Sequence, residues 1–257
     1  MIKLCRGTMK IDRAIMATDA NPDYYKFWPT VAKRWISWGI TPTLFVISKD
    51  KLDIDSSLGH VVYVDPVSDV STAHQAQIIR LFAAAHFKND VCIISDIDMM
   101  PLQREYFIES CEPYKDDKLV VYSSDAYLPG DPAYPAYPMC YLCSSGKTFY
   151  DIIGGDLDTF SKLVKEWVSY GHGWHTDEKV FFQKLMDWQK QNIKTVFLRR
   201  GFNVSNHPIT IARIDRSNGS DCRMDLLEKN YYVDYHMPRP YDKYNETIDT
   251  IYEKTKA

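Results

Sequence analysis

The chain has 257 residues, 45% of them hydrophobic, enough apolar material for one substantial core, so one large domain is expected rather than two small ones. Its 31 basic and 34 acidic residues leave a formal charge of −3, which excludes the basic excess of a nucleic-acid surface. No run approaches about 18 apolar residues, and the opening MIKLCRGTMKIDR lacks the apolar core of about 7–15 residues that a secretory leader needs, so neither a membrane span nor secretion is expected.

The cysteines are scattered except for Cys140 and Cys143, a lone C-x-x-C pair in an apolar, strand-like run. With no second pair and no paired histidines they read as structural thiols rather than zinc ligands. A soluble protein of a reducing compartment, the cytoplasm, is therefore expected, in which the Asn-x-Ser/Thr triplets at Asn203, Asn218 and Asn245 carry no glycan.

In chain order, residues 13–18 (RAIMAT) predict a buried strand, and residues 19–23 a polar loop. Val31, Trp35 and Trp38 fall at helical spacing, with Gly39 as the stop. Residues 43–48 (TLFVIS) and 61–64 (VVYV) predict short strands. Thr72 with Gln75 forms a capping-box pattern that opens a helix running to about Phe87. Residues 91–95 (VCIIS) make a fully apolar strand that runs into Asp96, and residues 119–123 (LVVYS) another. Pro129, Pro132, Pro135 and Pro138, interleaved with Tyr127, Tyr134, Tyr137 and Tyr141, predict an extended loop. Phe160, Leu163, Val164 and Trp167 mark one amphipathic helix, Phe181, Leu185 and Trp188 another, and residues 195–198 a late strand. Strands alternating with helices predict an α/β fold, a mostly parallel sheet covered on both faces, whose ligands bind at the carboxyl ends of the strands.

That rule places Asp96 and Asp98 in the binding crevice. Two hard oxygen donors one residue apart suit Mn²⁺ or Mg²⁺ and, through it, a diphosphate. An isolated D-x-D is common, and an ordinary strand end with solvated turn carboxylates remains the alternative. Asp177 and Glu178 stand in a first helical turn behind Thr176, where acids are favoured in any protein. Asp125 follows the strand at 119–123, where it either reaches a sugar hydroxyl or caps the loop. His175 is read as a hydrogen-bonding residue of an acceptor site.

From Gln77 onward the chain resembles GT-A fold glycosyltransferases, in particular the glycogenin-like and galactosyltransferase-like group that uses UDP-sugars. The residues that carry this are IRLFAAAHF at 79–87 followed by VCIISDIDMMPL at 91–102. The resemblance implies a Rossmann-like single domain over residues 1–257, with a donor-binding half at about 13–102, an acceptor and catalytic half at about 103–241 and a polar tail at about 242–257. It implies that Asp96, Asp98 and His236 bind the metal, Mn²⁺ or Mg²⁺. Arg80 stands sixteen positions before Asp96, the place of the group's donor-contacting basic residue. Thr18, Asp19 and Tyr24 (or Tyr25) match the uridine-binding start, Asp96 also faces the donor, and Arg239 matches the phosphate-binding basic residue. Asp177, within WHTDEKVFF, matches the catalytic-region acid, with Glu178 and Asp125 beside it as further catalytic candidates. The segment YHMPRPY departs from the group's pattern: its glycine is missing and the gap from histidine to basic residue is shorter.

The implied activity is transfer of a hexose, deoxyhexose or pentose from a UDP-sugar to a glycan or glycoprotein hydroxyl, with retention favoured. No nucleic acid takes part. The compact size is also similar to capsid-glycosylating transferases of large algal viruses, which would place the protein in host cytoplasm. Two other readings stand beside this one: a haloacid-dehalogenase-type phosphatase, with the first Asp as nucleophile, and a non-catalytic sugar-binding module.

Overall fold

The structure is a computed structural model and describes residues 9–124, 126, 136–191, 194–199, 213–216 and 222–256. The first half runs β1 (Arg13–Asp19), α1 (Pro22–Tyr25), α2 (Trp28–Ser37), β2 (Thr41–Ile47), β3 (His60–Val64), α3 (Thr72–His86) and β4 (Val91–Ser95). After it come β5 (Met99–Pro101), β6 (Leu119–Val121), β7 (Tyr141–Ser145), α4 (Gly146–Ile153), α5 (Phe160–Ser169) and α6 (Thr176–Gln189). The chain ends with β8 (Thr195–Phe197), β9 (Arg213–Ile214), α7 (Met224–Leu227), β10 (Asp234–His236) and α8 (Tyr241–Lys254).

Seven strands form the main sheet in the order β3-β2-β1-β4-β7-β6-β8, and β5, β10 and β9 form a small second sheet. β3, β2, β1 and β4 run parallel. β7 lies antiparallel between β4 and β6, and β8 runs parallel to β6. The expected mostly parallel α/β sheet is present. A parallel sheet needs both faces covered, and the strand alternation provides for this. Ala14, Met16 and Ile93 pack into one core with α2 and α8, while Ile15, Ala17 and Ile94 pack into the other with α3 to α6.

Several local expectations shift. The segment after β1 closes into the helical turn α1, because Asn21 caps it (Asp23 N to Asn21 Oδ1, 3.0 Å) and Pro22 takes the first helical position. The cap of α3 is Ser71, not Thr72. Ser71 has the extended backbone a cap requires, and its Oγ accepts from His74 N at 3.3 Å. Thr72 Oγ1 donates to Asp19 Oδ2 at 2.8 Å, and the buried Gln75 side chain bonds the backbone of Val67 and Val70 at 2.8–2.9 Å instead of closing a capping box. The Cys140–Cys143 run belongs to β7 and its approach, with both thiols free and buried. α4 starts at Gly146, where a Cβ would stand 2.2 Å from Phe87 O, so only glycine lets this helix begin against the end of α3.

The C-terminal stretch expected as a polar tail is largely α8. Ile248, Ile251 and Tyr252 bury one face of it, and Arg34 anchors its last turn through Thr255 O (2.5 Å), Thr255 Oγ1 (2.6 Å) and Tyr252 O (3.2 Å). Of the proline-rich stretch, residues 127–135 lie outside the described residues. Among the described residues no helix is long and apolar enough to cross a membrane.

Candidate active site

β4 is buried along its whole length and delivers the chain to the carboxyl edge of the main sheet. There the backbone turns: Asp96 N donates to Cys140 O and Met99 N to Asp96 O, each at 3.3 Å. The chain then enters the small sheet as β5. β5 pairs antiparallel with β10, which sets His236 opposite Met99, and Met237 N donates to Asp98 O at 2.9 Å. Backbone pairing thus brings a histidine from near the C-terminus beside the second aspartate. A cleft of about 500 Å³ opens here, lined by the ends of β1 and β4, the first turns of α3 and α6, and the Arg213–Arg216 segment.

Asp98 is buried at 6% exposure, and its Oδ2 lies 3.2 Å from Arg216 Nη1 and 3.4 Å from His236 Nε2. Burial alone would raise its pKa, but the His236 hydrogen bond and charge, with Arg216 and Arg239, outweigh it and hold Asp98 below the usual carboxylate range. Burial lowers the His236 pKa, but hydrogen bonds to Asp215 (Nδ1 to Oδ2, 3.5 Å) and Asp98 prevail and bring it up to about 9. The pair therefore carries its proton on the imidazole, and any cation taking Nε2 must displace that proton. Asp96 is raised by burial, with Asp98 adding to the effect and Arg80 opposing it.

Arg80 is 5% exposed and is mainly a carboxylate holder. Its Nη1 donates to Asp96 Oδ1 and, at 3.3 Å, to Met139 O; Nη2 donates to Asp177 Oδ2 at 3.4 Å and Nε to Gln77 O at 3.2 Å. Four of the contacts its guanidinium can make are thus directed at protein oxygens. Asp177, 2% exposed, opens α6 and is raised to about 6 by burial, against the charge of Arg80 and the Glu178 N–H, which donates to it at 2.9 Å. Glu178 Oε2 pairs with His175 Nδ1 at 3.0 Å.

Two ligands in cis on an octahedral cation, at about 2.1 Å each, stand about 3 Å apart. Asp98 Oδ2 and His236 Nε2 at 3.4 Å suit that edge. Arg80 holds Asp96 through its Oδ1, beside this pair. Among the described residues no group of three or more His, Cys, Asp or Glu side chains is arranged around one common ion position.

Beside the end of β1, Thr18, Asp19 and Tyr24 line the cleft and Tyr25 does not. Thr18 Oγ1 donates to Asp19 O at 3.0 Å, and the Asp19 carboxylate accepts from Asn21 N at 3.0 Å and Thr72 Oγ1 at 2.8 Å, so both also fix the β1–α3 corner. Arg239 covers the Tyr24 ring at 4.6 Å and donates to its hydroxyl. Asp125 lies outside the described residues. Sequence reasoning missed Arg213, Asp215 and Arg216 altogether. They belong to no motif and reach the cleft only because β9 pairs with β10.

No protein-family model matches the chain, and no curated protein matches it in sequence. Solved structures do match. An active-site mutant of LgtC superposes with TM-score 0.52 at 12% identity, over 94% of both chains. The galactosyltransferase LgtC in complex with donor and acceptor sugar analogs superposes at 0.50 and 11% identity, over 95% of this chain and 96% of that one. The fold is GT-A. A glycosyltransferase involved in glycosylation of the major capsid of PBCV-1 matches 92% of this chain at 11% identity, but a TM-score of 0.42 says nothing of a viral origin. In GT-A terms the Asp96–Asp98 turn stands where the main sheet hands over to the small one.

Proposed function

We propose that the protein is a metal-dependent glycosyltransferase that moves a sugar from a UDP-sugar to a hydroxyl of a glycan or glycoprotein. The observation that carries the reading is the convergence of Asp98 and His236, beside Asp96, at the carboxyl edge of a GT-A sheet inside a cleft large enough for a nucleotide sugar. A divalent cation bound by Asp98 and His236 would supply charge neutralisation to the departing diphosphate.

The chain's own residues do the rest by positioning and electrostatics. Tyr24, Thr18 and Asp19 border the nucleoside end. Arg80 fixes Asp96 and Asp177, so that both carboxylates keep one orientation as the donor enters. Asp177 faces the cleft with raised basicity and orients the sugar through its hydroxyls. Retention at the anomeric carbon is the outcome that the resemblance to the glycogenin-like group implies. The haloacid-dehalogenase alternative sits poorly with a D-x-D that follows the fourth strand of a GT-A sheet.

The test is a panel of nucleotide sugars with Mn²⁺, followed by UDP release and melting temperature. Metal-dependent release from one donor, abolished in Asp98→Ala, is the expected result. Phosphate release from phosphomonoesters would overturn it in favour of the phosphatase. A ligand-induced thermal shift with no turnover, with and without acceptor glycans, would leave only the binding module.

A further inference from the structure

Three arginines line the cleft, Arg80, Arg213 and Arg216, a fourth, Arg239, packs on its Tyr24, and their donors are unevenly spent. Arg80 is committed to two carboxylates and two carbonyls. Arg213 gives Nε and Nη2 to the two oxygens of Asp234 at 2.8 and 2.5 Å, and Nη2 also approaches Cys140 Sγ at 3.6 Å. Arg239 sits over the Tyr24 ring and donates to its hydroxyl. Arg216 differs: among the described residues its side chain donates to Asp98 Oδ2 alone, at 3.2 Å. It is also open, with a side chain 37% exposed against 6% for Arg80 and 13% for Arg213.

A guanidinium carries five N–H donors in a planar fork that matches phosphate oxygens in pairs. Among the described residues Arg216 has that capacity to spare, and it stands against Asp98, whose Oδ2 also faces His236 Nε2. An anion with several oxygens entering the cleft offers Arg216 more acceptors than Asp98 does. When Arg216 turns to them, Asp98 loses one of its two cationic partners, keeping His236, and becomes a stronger ligand for a divalent ion. On the glycosyltransferase reading above, we propose that Arg216 is the guanidinium that takes up the donor's diphosphate, exchanging Asp98 for phosphate oxygens and thereby coupling nucleotide binding to cation binding.

The coupling is reciprocal by linkage: the factor by which UDP tightens Mn²⁺ equals the factor by which Mn²⁺ tightens UDP. Removing Arg216 has opposite effects on the two partners. In Arg216→Gln the nucleotide-free protein binds Mn²⁺ more tightly, because the guanidinium no longer competes for Asp98. UDP affinity at saturating Mn²⁺ falls about tenfold or more, the scale of a lost charge-assisted hydrogen bond. The mutual tightening factor shrinks towards one, and Arg216→Lys recovers part of the UDP affinity. A residue that merely held the loop would move both affinities the same way.

The experiment measures Mn²⁺ binding by electron paramagnetic resonance and UDP binding by calorimetry on the full chain, with uridine as the diphosphate-free comparator. Weaker UDP, stronger Mn²⁺ and unchanged uridine in Arg216→Gln, with an unchanged melting temperature, support the proposal. Unchanged UDP affinity, or UDP and Mn²⁺ weakening together, overturns it while leaving the glycosyltransferase reading intact. A parent protein that binds neither UDP nor Mn²⁺ overturns both.

Discussion

Asp177 is a carboxyl kept in the cleft against the preference of the fold. Burial sets its pKa at about 6 in the folded chain, against about 3.9 in an unfolded one. Because the folded value is the higher, the stability this group contributes is complete below about pH 4 and is lost as the pH rises through 6. The loss totals about 3 kcal/mol. Asp177→Asn removes the titration. We expect the variant to gain stability relative to the parent as the pH rises, from near parity at pH 4 to about 3 kcal/mol at pH 7.5, while sugar transfer drops. Urea melts of both proteins at the two pH values measure the gap, and a gap that is flat or narrows with pH would contradict the assignment. Asp177 was legible in the sequence as an acid in a first helical turn, a position that also suits an unremarkable surface acid. Its burial and its sharing of Arg80 with Asp96 arise from α3 and α6 packing together, which no local pattern encodes.

At the scale of elements, the apolar runs placed β1 and β4 correctly because β4 is buried throughout and β1 at all but its end residues, and the helical spacings placed α2, α5 and α6 because each buries one face. Where two neighbouring residues competed for one role, the pattern slipped. Ser71 and Thr72 are both good caps in isolation, but Thr72 is drawn away by Asp19, so the cap falls to Ser71. Ser71→Ala should therefore cost about 1 kcal/mol, a normal cap loss, without changing nucleotide affinity. Thr72→Val should instead free the Asp19 carboxylate and weaken uridine binding; denaturant melts paired with calorimetry separate the two. α8 was missed for another reason: its charge-rich sequence hides Ile248, Ile251 and Tyr252 on one face. Arg34 completes the anchor. It is 0% exposed and its pKa is brought down to about 10 by burial, its guanidinium meeting carbonyls, a hydroxyl and the Tyr252 and Trp38 rings. Arg34→Met should strand those carbonyls and cost about 2 kcal/mol. Amide exchange in the last turn of α8 should rise well before exchange in β1.

For the whole molecule, the candidate site depends on two sheets keeping register. Asp96 leaves the main sheet, Asp98 enters the small one, and Asp215, Arg216 and His236 arrive on strands β9 and β10 or just beyond β9. Long-range pairing of this kind leaves no trace in local sequence, which is why the D-x-D was readable from its own strand and its arginine and imidazole partners were not all recoverable. The joint between β9 and β10 is the Arg213–Asp234 pair, with Asp234 at 0% exposure and both its oxygens engaged. Removing one partner of a buried ion pair leaves an uncompensated charge, and the typical cost is about 3–5 kcal/mol. Asp234→Ala should lose stability on that scale. It should also lower UDP affinity, because β9 carries Arg216 towards the cleft although Asp234 itself is not among the residues lining it. The double variant Arg213→Met with Asp234→Leu removes both charges and fills their volume, and should regain most of the stability. If the small sheet positions the site through its register alone, UDP affinity returns with the stability in the double variant. Affinity that stays low in a protein refolded to parental stability would mean that Arg213 contributes its own charge to nucleotide binding. Urea melts and calorimetry on the parent, the single and the double variants decide between the two.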